Sequence, residues 1–286
     1  MAKKASITIV GAGNVASVLG PALRRAGYRI DEIVSRSNPR SIQRAKVLAR
    51  KSGAAASTIE DARFSADIVW NCVTDDAIAP VSQRLAARRD VDWKGKIIFH
   101  ASGALTSDAL RALRQRGAAV ASTHFMQTFM PGSSPTLSVP FSIEGDKQAQ
   151  QVALEIGHNL EAKPFIIRKQ SRVLYHAMGS FASPQIIASL SLAEAIGRAA
   201  GLDSKQIESV IGPIFSRTAE NYLKNGSSGA YRGPINRGDA ATVKKHLQDL
   251  KKVPEARAAY IALGKAALRR LPVKNRKQLQ ELFRKA

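Results

Sequence analysis

The opening residues constrain this chain more than any others. An apolar run, Ser6-Ile7-Thr8-Ile9-Val10, leads straight into Gly11-Ala12-Gly13-Asn14-Val15-Ala16. A strand that ends in this spacing of small residues and opens into a helical pattern is the dinucleotide-binding fingerprint, with Ala at its third small position. Gly11 allows a sharp turn out of the strand. Gly13 has no side chain to keep a diphosphate from the backbone, and Ala16 lets the helix lie close on the sheet. The N–H groups of Asn14, Val15 and the residues around them then face the phosphates, aided by the helix dipole. The alternative is a Gly-rich turn in another α/β fold.

The end of the second strand selects between cofactors. Arg29-Ile30-Asp31-Glu32-Ile33-Val34 runs into Ser35-Arg36-Ser37, and Arg36 lies twenty residues beyond Ala16. An acid at that distance would accept hydrogen bonds from the ribose of NAD. Arg36, flanked by Ser35 and Ser37, suits a 2′-phosphate, so NADP is expected. Asp31 and Glu32 come too early in the strand to play the acid's part. Arg36 could instead be one more solvated cation.

Strands and helices alternate through the first half of the chain. Helices are expected from about Asn14 to Ala26, ended by Gly27, and from Pro39 to just before Gly53. Further strands fit Asp67–Val73, Lys96–His100, Ala118–Ser122, Val139–Ile143 and Lys163–Ile167, with a helix from about Ser107 to Gln115. Thr74-Asp75-Asp76 can cap a helix after the third of the strands read here. This alternation implies an α/β fold with a parallel, doubly wound sheet over 1–168. From 169 to the end no strand is evident, so an all-α second domain is expected over 169–286. Within it, 171–201 is a long Ala/Ser-rich stretch, bent or broken at Pro184 and apolar around much of its circumference. Such a stretch should be buried, and burial between two subunits makes a homodimer the expected assembly. Further helices fit 204–212, 214–224, 240–250, 254–271 and 277–285, with Gly226-Ser227-Ser228-Gly229 as a loop.

Lys and Arg number 44 against 22 Asp and Glu, a formal charge of +22. That balance favours anionic partners. The excess is spread along the chain and is densest near the C-terminus. No RNP-like aromatic sheet, zinc finger or basic recognition helix is evident, and aromatic residues make up only 6% of the chain, so nucleic acid is disfavoured as the main partner. The single Cys72 sits in an apolar run, where it reads as a buried thiol in a reducing compartment. No zinc-ligand spacing is present and no metal is expected. The short basic start precedes only a five-residue strand, so no signal peptide is expected, and no apolar run is long enough for a membrane span. Together these place the chain in the cytoplasm.

Several segments then carry a resemblance. They are Gly11-Ala12-Gly13-Asn14-Val15-Ala16, Asp75-Asp76-Ala77-Ile78, His100-Ala101-Ser102-Gly103-Ala104-Leu105, His124-Phe125 and Leu174-Tyr175-His176-Ala177. The most specific is Gly233-Pro234-Ile235-Asn236-Arg237-Gly238-Asp239, with His246-Leu247 after it. Over nearly its whole length the chain resembles bacterial Rossmann proteins with a helical C-terminal domain of unknown function, usually labelled NADP oxidoreductases. These are relatives of pyrroline-carboxylate reductase, ketopantoate reductase and the β-hydroxyacid dehydrogenases. The resemblance implies that Val73, Asp75, Ile78, His100 and Ser102 lie over the nicotinamide ribose, with the small Ala101 and Gly103 permitting close approach. Asp75, Asp76 and Ser102 could equally serve only as helix caps. Two departures stand out. Phe125 follows His124 where relatives often have Pro, and Arg172 and His176 replace the catalytic Lys and the Asn four residues later found in β-hydroxyacid dehydrogenases. Arg does not release a proton at neutral pH, so their lysine mechanism does not carry over.

Arg172, His176, Gly179 and Ser183 share one helix face. His176 and His124 are the candidate acid–base residues, since imidazole titrates in the useful range; a core histidine with one satisfied hydrogen bond is the plainer alternative. Arg237, joined by Arg172 and neighboured by Asn236, could hold a substrate anion. Arg237 could instead pair with an acid across a dimer interface. The expected function is an NADP-dependent oxidoreductase passing a hydride to or from a small anionic carbonyl or imine in an interdomain cleft. The alternative is a non-catalytic NADP(H)-binding sensor or scaffold.

Overall fold

A computed structural model describes residues 4–130 and 137–286. By compactness the chain divides into two units, Met1–Ser180 and Phe181–Ala286. The division falls between Ser180 and Phe181 rather than between Arg168 and Lys169, because the residues just beyond 168 pack with the first unit.

The first unit holds one eight-stranded sheet. Its elements are β1 (Ser6–Val10), α1 (Asn14–Arg25), β2 (Arg29–Ser35), α2 (Pro39–Ser52), β3 (Ala55–Thr58), β4 (Ile68–Asn71), α3 (Asp75–Ala86), β5 (Ile97–His100), a 3-10 turn (Ser107–Leu110) running into α4 (Arg111–Arg114), β6 (Ala119–Phe125), β7 (Pro140–Gly145), α5 (Lys147–Asn159), β8 (Lys163–Ile166) and α6 (Arg172–Ala182). The strand order is β3-β2-β1-β4-β5-β6-β7-β8. The order reverses at β1, and in open sheets of this kind ligands bind beyond the strand ends at that switch point.

Successive residues of a strand face opposite sides of the sheet. Ile33, Trp70 and Phe99 join a core with α1, α2 and α5 through Leu19, Leu48 and Ile156. Their chain neighbours Val34, Val69 and Ile98 join a second core with Ile78, Leu85 and Leu113 on the opposite face. Both faces are therefore covered, as a doubly wound sheet requires. Local signals act where expected. Asn38 caps α2 by accepting from Ser41 N at 2.9 Å, Pro39 starts that helix, and Gly53 ends it in the left-handed region at φ 63°. Burial pushes the Cys72 thiol up to about 12, so it stays an inert core group.

The sheet is not wholly parallel. β7 runs antiparallel to β6, pairing Phe125 with Phe141 and His124 with Ser142. A parallel return needs a crossover, usually a helix, and the described residues between these strands, 126–130 and 137–139, form none. β3 and α5 had no counterpart in the sequence reading. β6 extends to Phe125, beyond the Ser122 expected, so His124 stands on the strand. Thr74 precedes α3 without capping it through its side chain.

The second unit is helical: α7 (Pro184–Ala199), α8 (Ser204–Ala230), α9 (Pro234–Arg237), α10 (Ala240–Asp249), α11 (Pro254–Arg270) and α12 (Arg276–Lys285). Val243, Leu247, Leu268, Leu279 and Phe283 form its core. α8 runs through Pro213 without the break expected there and bends at Gly226, where φ is 64°. The stretch around Pro184 does break, but it is not buried within one chain. No residue of α7 is buried, and Val173, Leu174, Met178, Phe181 and Ile187 are exposed. No helix among the described residues is long and apolar enough to cross a membrane.

Glu32 explains why an acid can sit in β2 without binding ribose. Its buried carboxylate accepts from Arg63 N and Phe64 N, both at 3.1 Å, and from Ser57 Oγ at 3.0 Å. Glu32→Ala strands those donors and should cost about 2 kcal/mol or more in urea unfolding at pH 7. An unchanged midpoint would show that these bonds carry no net stability.

Candidate functional site

The turn after β1 is fixed by backbone against backbone. Gly11 has φ +103°, and a Cβ placed there would lie 2.7 Å from the Cys72 carbonyl oxygen. Gly11 N donates to Val34 O at 2.8 Å, and Cys72 N donates to Val10 O at 2.7 Å. The exits of β1, β2 and β4 are thus tied together at the switch point. Gly13 precedes α1 with no side chain capping the helix, so the first turn keeps its donors for a ligand. Ala16 is fully buried, as its packing role demands.

A cavity of about 360 Å³ opens over this turn. Gly11, Ala12 and Gly13 line its floor, Ile59, Val73, Ala77 and Val81 give it apolar walls, and Ser35, Arg36, Ser41, Arg44 and Arg84 supply its polar lining. Arg36 therefore lines the cavity just beyond the end of β2. Arg36 and Arg44 are exposed, and neither guanidinium has a hydrogen bond or ion pair among the described residues. Ser41, Arg44 and Arg84 were not read from the sequence. Arg44 and Ser41 lie on α2 at a three-residue spacing, a signal that a helix projection could have found.

Other expected cofactor contacts have structural duties. Asn14 Nδ2 donates to Phe129 O at 3.2 Å, and Ser35 Oγ donates to Arg36 O at 3.1 Å. Ile78 is wholly buried in the core. His100 is buried too. Its Nε2 lies 3.0 Å from Thr106 O, and its Nδ1 accepts from Ser102 N at 3.2 Å. Burial, chiefly, pulls its pKa down to about 4, so a neutral ring pins the loop after β5 and its side chain offers nothing to a cofactor. Ser102 Oγ donates to Asp75 Oδ2 at 2.8 Å and accepts from Ala104 N and Leu105 N. Ser102 thus caps its own loop and joins it to the start of α3, while Asp75 stays exposed. Ala101 N is held by Asn71 O. Only Val73, of the residues implied for the nicotinamide ribose, lines the cavity.

A second cluster forms within the first unit where α6 meets the sheet. The His124 and His176 rings stand edge to face at 5.8 Å, and His124 meets Tyr175 at 6.1 Å. Gly103 lies beneath them: a Cβ there would collide with the His176 ring and sit 2.8 Å from His124 Nε2. The small residue thus admits two imidazoles, where the sequence reading had it admit a cofactor. Tyr175 was not singled out as a site residue. Its phenol is half-buried and its pKa is raised, mainly by burial.

Arg172 is a structural tie and not a substrate ligand. The side chain is wholly buried. Nη1 donates to Ser142 Oγ at 3.0 Å and Nη2 to Ser102 O at 2.8 Å, while Nε has no hydrogen-bond partner among the described residues. Desolvation lowers its pKa to about 10, opposed by Glu144, yet it remains charged at neutral pH. Arg172 ties β7 to the loop after β5 and cannot grip a substrate. The same positive charge, with His176 and above all burial, pulls His124 down to about 4. His124 is therefore neutral at pH 7.

In the second unit, Asn236 Nδ2 donates to Pro272 O at 2.7 Å and is a structural tie. Arg237 is exposed, with no hydrogen bond or ion pair from its side chain among the described residues. Asp239 caps α10 by accepting from Thr242 N at 3.0 Å.

Comparison with known proteins agrees with this architecture. Residues 1–125 match a Rossmann-like domain family, and residues 139–267 match a domain of unknown function (DUF2520). The chain joins a Rossmann-like domain to a DUF2520 domain. The resemblance read from its motifs is borne out. A Bacteroides fragilis structure described as a candidate NADP oxidoreductase is similar at 22% identity and TM-score 0.73, over 92% of this chain and 98% of that one. A Thermotoga maritima protein is similar at 25% identity and TM-score 0.70, over 91% and 96%. An imine reductase from Myxococcus stipitatus, in complex with NADP+, is similar at 16% identity and TM-score 0.63, over 92% and 94%. No curated protein sequence matches.

The buried His100 and the half-buried His124 give a direct check. Of the five histidines, His100 and His124 should titrate near pH 4 by NMR. Both pKa values lie below the unfolded 6.5, so the unfolded chain binds these protons first. Their stability contribution is complete above about pH 6.5 and is lost as pH falls toward 4, on the order of 3 kcal/mol each. Titration of either ring near 6.5 would contradict the burial described.

Proposed function

We propose that the chain is an NADP-dependent oxidoreductase that passes a hydride to or from a small, anionic carbonyl or imine substrate. The observation that carries this reading is the cavity over the Gly11–Gly13 turn, lined by Arg36 and Arg44, two guanidiniums with no hydrogen bond or ion pair among the described residues. Backbone donors at a helix start suit a diphosphate, and guanidiniums suit a 2′-phosphate. Glu32, the acid of β2, is committed to backbone donors. The imine reductase of Myxococcus stipitatus in complex with NADP+, which has the same fold, supports the same choice, as does the reductive aminase of Aspergillus terreus in complex with NADPH.

In this reading Gly11, Ala12 and Gly13 bare the backbone to the diphosphate. Arg36, Arg44 and Ser41 hold the 2′-phosphate, and Val73 and Ala77 wall the cavity. When bound, NADPH supplies the hydride. His176 is the residue we place at the proton-transfer position, because it is only partly buried and rests on Gly103. His124, neutral at pH 7, orients His176 by ring contact and does not act as an imidazolium acid. Arg237 is offered to an anionic substrate or to an acidic group of a second copy. The exposed apolar side chains of α6, α7 and α8 favour a homodimer, and a buried single thiol fits a reducing cytoplasm.

The buried Arg172 and the neutral His124 leave the acid–base set thin, which favours the sensor reading as the second choice. Consumption of NADPH with a panel of imines, keto acids and aldehydes separates the two. Oxidoreductase action predicts turnover with at least one class. Tight NADPH binding without turnover across the panel predicts the sensor.

By calorimetry NADP should bind more tightly than NAD. Arg36→Ala should weaken NADP by roughly tenfold to a hundredfold, the worth of a charge-assisted bond, and change NAD only a few-fold. Equal losses for both nucleotides would remove Arg36 from the 2′-phosphate site. Light scattering should give twice the chain mass, and a monomer at micromolar concentration would end the dimer proposal.

A further inference from the structure

One acid lies at the end of the cavity where cations gather. Glu60 follows Ile59, which lines the cavity. Its Oε2 accepts from Ser37 Oγ at 2.6 Å, and its Oε1 pairs with Arg84. Ser37 adjoins Arg36, so Glu60 is one hydroxyl away from the exit of β2. Arg84 also lines the cavity. Of the guanidiniums there, Arg36 and Arg44 are unpaired among the described residues, and Arg84 is neutralised by Glu60. The chain thus commits one cation and one hydroxyl to an internal carboxylate.

That arrangement has a chemical consequence. The Ser37 hydroxyl has a single proton, which it can give to Glu60 or to a phosphate oxygen, but not to both. Arg84 pairs with Glu60 through Nη2 alone and keeps other N–H donors, but the pair brings no net positive charge to a phosphate. A 2′-phosphate brings close to two negative charges beside a carboxylate, whereas the 2′-hydroxyl of NAD brings none. We infer that Glu60 is a specificity-determining residue of this site, an internal anion that occupies Ser37 and Arg84 and opposes a 2′-phosphate. Glu60 therefore holds the preference for NADP over NAD below the level that Arg36 and Arg44 would set. This rests on the proposed cofactor reading and names the residue that limits its selectivity.

Glu60→Gln tests it. The amide keeps the shape, can still accept from Ser37, and removes the charge. The side chain is 44% exposed, so the variant should fold, which circular dichroism checks. Calorimetric titration of the full chain with NADP and with NAD is the measurement. NADP should bind roughly three- to tenfold tighter to the variant, with NAD within about twofold, as expected for removing one like charge near a phosphate. Unchanged or weaker NADP binding, or equal gains for both nucleotides, overturns the inference while leaving the cofactor reading standing. Failure of the unaltered protein to bind either nucleotide overturns the cofactor reading and this inference with it.

Discussion

The contact between Gly11 and the Cys72 carbonyl is the constraint on which the rest depends. At φ +103° and 2.7 Å from a would-be Cβ, the position accepts no side chain. The close approach lets β1 and β4 end side by side while the chain turns over them into α1. Gly11 N reaches Val34 O across to β2, so three strand exits are fixed relative to one another. The cavity, its cations and the loop before α3 are all placed by that junction. Strand pairing alone would not produce it, because it lies just past the ladder, where backbone groups are otherwise left to solvent.

Around this junction the chain separates charges by burial. Arg172 is sealed inside without a bonded carboxylate, and two imidazoles are kept neutral beside it. Arg36, Arg44 and Arg237 stand exposed at the surface, with no hydrogen bond or ion pair among the described residues. A buried cation linked to Ser102 O and Ser142 Oγ specifies geometry more than it adds stability, since its desolvation offsets much of its bonding. Exposed, unpaired guanidiniums lose little by waiting for an anion. The two sets serve different ends, architecture and recognition.

Much of the fold was legible in the sequence because its signals are local. The Gly11–Ala16 spacing, Pro39 and Gly53 around α2, and Asp239 before α10 each satisfy their own neighbours. β3 escaped because Ala55-Ala56-Ser57-Thr58 is short and carries little apolar side chain. α5 escaped because its buried face is mostly Ala149, Ala153 and Gly157. The antiparallel β7 depends on a connection that no periodicity reports. In the candidate site, the spacing of Arg172 and His176 placed both on one helix face, and both pack onto the sheet unit. Burial reversed the meaning of Arg172, because a sequence shows that an arginine is present but not whether water reaches it. Glu60 was invisible for a similar reason: its importance comes from Ser37 and Arg84, far from it along the chain.

The central claim is that the bare turn after β1 receives a nucleotide diphosphate. Amide NMR of the 15N-labelled protein during titration with NADPH tests it most directly. The account predicts saturable shifts that are largest at Gly11, Ala12, Gly13 and Asn14, with a second group at Arg36 and Arg44. Saturable shifts that spare these amides and fall elsewhere in the chain, or no shifts at millimolar NADPH, would contradict it.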